Sequence, residues 1–166
     1  AFFASYRMIP GVIDGVQYYE QLFWGGGHVL QFLHVQMLML AWLFLSGVST
    51  TKCIKTLFFI GPIAALLTPL GYLSGDVSTF EHRQFFTQMM IIAGGIAPAI
   101  LALMLAPKVW RARGERKGEN RALWSSLACS LLLFLYGGAL GGMIEGQNVV
   151  IPAHYHGSII GITIAF

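Results

Sequence analysis

Long apolar runs, each close to the roughly 20 residues that a helix needs to cross a bilayer, constrain this chain more than any other feature. The first includes LFWGGGHVLQFLHVQMLMLAWLFL, and comparable runs follow at intervals to the last residue. Apolar residues make up 56% of the sequence and charged ones 10%, against about 25% charged in soluble domains. The expected fold is therefore all-α, a polytopic transmembrane helix bundle within a single membrane domain, 1–166. Four complete spans are expected, at about 19–45, 54–73, 85–106 and 123–144, with a fifth at 151–166 that the sequence cuts short. The opening AFFASYRMIPG lacks an initiator Met, and Phe166 falls inside an apolar run. The chain thus reads as a fragment of a larger membrane protein. Pro62, Pro69 and Pro98 lie inside these runs, which membrane helices tolerate where neighbours satisfy the freed backbone groups. Glycines such as those of YGGALGGM read as close helix packing.

Orientation follows from one connection. Lys108, Arg111, Arg113, Arg116, Lys117 and Arg121 supply six of the ten Lys and Arg residues. The positive-inside rule puts the loop 107–121 in the cytoplasm, and Lys52 and Lys55 then fall on the same side. A polybasic loop can also bind anionic lipid or nucleic acid, but topology suffices to account for this one, and no nucleic acid is expected as a partner. The two cysteines, Cys53 and Cys129, form no CxxC or CxxCH motif, which excludes zinc ribbons, thioredoxin chemistry and covalent c-type haem. Trp24, Trp42, Trp110 and Trp124 fall near span ends, where an aromatic belt is expected.

Histidine is placed unevenly. With this orientation His28, His82, His154 and His156 lie toward the outer side, on three spans, while His34 sits deeper and faces away from His28. Imidazoles in hydrocarbon are costly and usually functional, so several at one level point to a metal or haem site. Residues two apart on a helix project about 200° apart, so His154 and His156 are disposed to serve two separate groups, one on each flank. Haem iron commonly takes axial histidine. Glu81 and Glu145 read as solvated or paired carboxylates, and Tyr155 as a packing residue.

PAHYHGSIIG resembles the AHFHY element on the tenth helix of the catalytic subunit I of haem-copper oxidases, a superfamily that includes cytochrome c oxidases and nitric oxide reductases. FWGGGHVLQF is similar to the GHPEVY element of its sixth helix, and FFTQMMIIAGG to the FTSATMIIA stretch of its eighth. The resemblance covers nearly the whole chain, roughly helices six to ten. It implies an oxidoreductase, a membrane respiratory redox subunit binding two haems, with His154 on a high-spin haem and His156 on a low-spin one. It also implies a copper or non-haem iron ion held by His28. Beside that match, His82 is a second, poorer candidate ligand, and Gln31, one turn from His28, is placed to face the same pocket as a catalytic residue. Electrons would pass from the low-spin to the high-spin haem and reduce oxygen or nitric oxide. Expected partners are the lipid bilayer, other respiratory-complex subunits, and cytochrome c or quinol as electron donor, in a prokaryotic plasma membrane.

Departures from the pattern qualify that expectation. After His28 the chain has Val29, Leu30, Gln31 and Phe32, so the oxidase tyrosine is replaced by a residue with no phenolic hydroxyl. This favours nitric oxide, which needs no such donor, although oxygen is the superfamily's commoner substrate. The family's adjacent His-His pair would fall near Gly71 and Tyr72, where neither residue is a histidine. A di-haem electron carrier lacking the second metal is therefore an alternative, and a histidine-relay transporter a third.

Overall fold

In the computed structural model the described residues are 1–11, 13–73, 76–112, 120–145 and 149–166. All regular elements among them are helical. They are α1 (Phe2–Met8), α2 (Gly15–Ser46), α3 (Lys52–Leu67), a 3-10 turn (Thr68–Tyr72), α4 (Phe80–Met89), a π-helical turn (Met90–Ile96), α5 (Ala97–Arg111), α6 (Asn120–Gly141) and α7 (Val150–Ile164). Four stretches are long and apolar enough to cross a membrane: Gly15–Ser46, Lys52–Tyr72, Phe80–Arg111 and Arg121–Gly141. These overlap the four complete spans read from the sequence, ending at Tyr72 and Gly141 where 73 and 144 were expected, and α7 overlaps the fifth. Large apolar side chains such as Phe44, Leu66 and Leu132 are exposed, as lipid-facing residues of a membrane helix must be.

Pro62 and Pro107 lie inside α3 and α5 without interrupting them, whereas Pro69 falls where the second stretch changes form. Pro69 has no N–H, so the Ala65 carbonyl four residues earlier loses its helical donor. The Thr68 hydroxyl donates to that carbonyl at 2.7 Å instead, and the chain tightens into the 3-10 turn. Pro98 lies two residues after the end of the π turn, in the first turn of α5. Pro152, in the first turn of α7, costs nothing because N–H groups there have no intrahelical partner.

The described residues pack as two compact units, 1–36 with 56–97, and 37–55 with 98–166. In the first unit Phe32, Ala64 and Ala93 form an apolar core against Ile60, Ala65, Met89 and Met90. Gly25 receives Tyr72 and Phe86, and Gly71 receives Phe85 and Phe86. In the second unit α6 and α7 run antiparallel at glycine-lined close approach. A Cβ on Gly157 would lie 2.9 Å from Gly137 Cα, and one on Gly161 would lie 2.8 Å from Phe134 N. Small residues at such crossings let backbones meet. A buried hydrogen-bond chain ties α2 to this pair: Trp42 Nε1 donates to Ser130 Oγ at 2.7 Å, and Ser130 Oγ donates to Gly161 O at 2.5 Å. Trp42 is wholly buried and belongs to the core of this unit, not to the expected aromatic belt; its indole N–H found a protein partner.

Candidate functional site

Four of the five histidines share one local arrangement. His28 Nδ1 lies 2.6 Å from Trp24 O, His82 Nδ1 2.8 Å from Gly71 O, His154 Nδ1 2.6 Å from Gly137 O, and His156 Nδ1 2.6 Å from Pro152 O. A carbonyl oxygen only accepts, so in each pair Nδ1 carries the proton and donates. A neutral ring then has its lone pair on Nε2. A backbone carbonyl on Nδ1 is also the usual outer support of a metal-ligating histidine, since it fixes tautomer and ring orientation.

The helices produce this arrangement in two ways. His28 and His156 reach back one turn along their own helices, to the carbonyls of Trp24 and Pro152. His82 and His154 reach across, to the 3-10 turn after α3 and to α6. His154 and His156 are thus held by different elements on different flanks of α7, in agreement with the 200° separation of positions i and i+2. His154 is half-buried and His156 exposed. The His154 ring lies over Gly141, where a Cβ would come within 2.8 Å of its Cε1 and Nδ1.

In the first unit His28 sits beneath Trp24, with ring centroids 5.0 Å apart. The Arg83 guanidinium lies over the same indole at 5.2 Å and pairs with Glu20 at 3.3 Å. Trp24 Nε1 in turn donates to Arg83 O at 3.3 Å, so α4 holds the tryptophan whose carbonyl holds His28. Gln31, three residues after His28, has a buried Oε1 with no hydrogen-bond donor among the described residues. His82 is 1% exposed, enclosed by Tyr72 and Phe86 at ring distances of 5.0 Å each, and its Nε2 likewise has no partner there. His34 is exposed. Phe32 is buried in the apolar core of the unit, which its lack of a hydroxyl suits. At 71–72, Gly71 O accepts from His82 and Tyr72 Oη bonds Ser5 Oγ at 3.0 Å.

His28, Gln31 and His82 belong to the first unit, and His154 and His156 to the second. No group of three or more His, Cys, Asp or Glu side chains disposed to hold a metal occurs among the described residues. Glu81 is exposed in the first turn of α4, where a carboxylate complements the helix dipole. The sequence reading missed the carbonyl partners, the Gly141 saddle and the Glu20–Arg83–Trp24 ladder. Proline four residues before His156 and glycines four apart in α6 were the available signals, but the proline was not singled out and the glycines were read for packing alone. Of the basic loop, residues 113–119 lie outside the described residues.

No family model and no solved structure matches the chain. It is 33% identical to the uncharacterised protein RP382 of Rickettsia prowazekii (strain Madrid E), over 97% of this chain and 39% of that protein. It is 27% identical to an uncharacterised protein of Aquifex aeolicus (strain VF5), over 96% of this chain and 39% of that protein. The chain thus spans about two-fifths of the length of either bacterial relative.

Proposed function

We propose that this chain is part of a haem-copper oxidase-like membrane redox subunit, an oxidoreductase that reduces oxygen or nitric oxide. The observation that carries this reading is the pair on α7. His154 and His156 both donate Nδ1–H to backbone carbonyls and so present Nε2 lone pairs on two flanks of one helix. These are donor sets that fit axial haem ligation. His154 Nε2 would hold the high-spin haem and His156 Nε2 the low-spin one, and bound haem iron would supply the one-electron chemistry. His28 Nε2, with its ring fixed by Trp24, would hold a copper or non-haem iron ion. The unfilled acceptor of Gln31 lies on the adjacent turn, where it can orient a proton donor. The role of His154 is to fix its group against α6, that of His156 to hold a second on the opposite side, and that of Phe32 to keep water out of the core.

A second reading, a di-haem electron carrier without the additional metal, is favoured by what occupies 71–72. Neither Gly71 nor Tyr72 offers a nitrogen ligand, and the polar atoms of both are engaged with His82 and Ser5.

The test is the visible spectrum of the full-length protein in detergent, with metal analysis. The enzyme reading expects two haem species and about one copper or non-haem iron per chain; the carrier reading expects haem alone. His154→Ala should abolish the high-spin species only, and His156→Ala the low-spin species only. Absence of any Soret band from the wild type ends both redox readings and leaves the histidine-relay transporter. The electron donor (cytochrome c or quinol) and the companion respiratory subunits belong to this proposal and stand or fall with the haem signal.

A further inference from the structure

A second candidate site lies in the second unit, with no histidine among its described lining residues. Lys108, Arg111, Ala112 and Trp124 line a cavity of about 190 Å³ between the end of α5 and the start of α6. We propose that it takes the phosphate group of an anionic phospholipid.

Three features of the cavity point to that chemistry. First, the charges among its described lining residues, Lys108 and Arg111, are of one sign. Lys108 and Arg111 are three residues apart and so lie on one face of α5. The first turn of α6 holds no acidic residue, and a helix N-terminus adds the positive end of its dipole. Second, the cations are preorganised. Lys108 Nζ donates to Ser46 O at 2.6 Å, which fixes the ammonium and leaves two of its three N–H bonds to point elsewhere. The Arg111 guanidinium supplies the planar fork that matches two phosphate oxygens. Third, the cavity lies at headgroup depth. Arg111 is the last residue of one candidate span, and the next begins at Arg121. Trp124, one turn into α6, adds an indole of the kind enriched at that level. A free phosphate would be recognised by the same groups, but only a lipid is delivered to this depth by the bilayer itself. The volume equals that of about six waters in the liquid, room for a phosphate and its ester oxygens.

The experiment uses full-length protein in detergent micelles with labelled phosphatidylglycerol or phosphatidylcholine, at one fixed salt concentration. Wild type should retain the anionic lipid over the zwitterionic one by about five-fold or more, from roughly one factor of five per basic residue at a membrane surface. Arg111→Gln should lower that preference about five-fold. Arg121→Gln, the same change of charge in a residue that does not line the cavity, should leave it within about two-fold. Equal losses in both variants would mean diffuse attraction by the basic loop and overturn the site. Absence of a preference in wild type overturns it whatever the variants do. Displacement of the lipid by inorganic phosphate, beyond that caused by chloride at equal ionic strength, would assign the cavity to the free anion and overturn the lipid. None of these readings depends on haem.

Discussion

His154 shows how much one side chain depends on atoms that carry no chemistry of their own. Its ring is held by the Gly137 carbonyl and lies where a side chain at residue 141 would be. Gly138, between those two glycines, has open space where a Cβ would be built. Gly141→Ala should therefore displace the imidazole and cost about 1–3 kcal/mol through overpacking, whereas Gly138→Ala should be neutral or slightly stabilising in the helix. Thermal melts of the two variants check this. Removing the ring with His154→Ala should relieve most of the Gly141→Ala penalty, because the two sites are in contact. The sequence made both histidines legible as a pair of opposed side chains, since helix geometry alone separates positions i and i+2. It left the His154 tautomer out of reach, because that depends on a carbonyl 17 residues away.

Elements here are bounded by a few polar contacts. The turn before α4 is built on Asp76, whose carboxylate accepts from the Ser78 hydroxyl at 2.6 Å and the Ser78 N–H at 2.8 Å. Thr79 Oγ1 then caps α4 by accepting from His82 N at 3.3 Å. The Ser78 hydroxyl, and after it the Ser78 backbone N–H, hold the Asp76 carboxyl below its ordinary value of 3.8. The folded form binds this proton less readily than the unfolded one, so the contribution of Asp76 is complete above that ordinary value. It is lost as pH falls through the lower, folded value. Hydrogen exchange at 77–79 should accelerate across that acidic window, and Asp76→Asn should remove the acceleration. Helix ends followed hydropathy to within about four residues except at the two ends of the third span, where α5 runs on to Arg111 beyond the expected 106 and α4 starts early. There the expected start at 85 moved to Phe80, because a threonine cap and a glutamate in the first turn extend a helix over residues of mixed polarity. The π turn was not foreseen, since hydropathy is blind to the width of a helical turn.

At the scale of the molecule, the four apolar helices are those of an integral membrane protein, and the expected orientation puts the basic loop in the cytoplasm. Cys53 and Cys129 are free and exposed. Cys53 lies in the first turn of α3, beside Lys52, at an expected cytoplasmic end. With all other cysteines of the full-length protein replaced by serine, an impermeant maleimide should label Cys53 in inverted vesicles and not in intact cells. The opposite pattern would reverse the topology and move every histidine but His34 to the inner side. The sequence by itself determined the number and approximate limits of the spans, because the cost of an unsatisfied backbone in hydrocarbon leaves a long apolar run few choices but helix. It also determined that residues 154 and 156 face apart, a consequence of 3.6 residues per turn. Tertiary structure alone decided that Trp42 is core, that Gly141 makes room for an imidazole, and that Lys108 and Arg111 face a cavity with Trp124. Each of these depends on which residues distant in the chain come within a few ångströms, and no local periodicity encodes that.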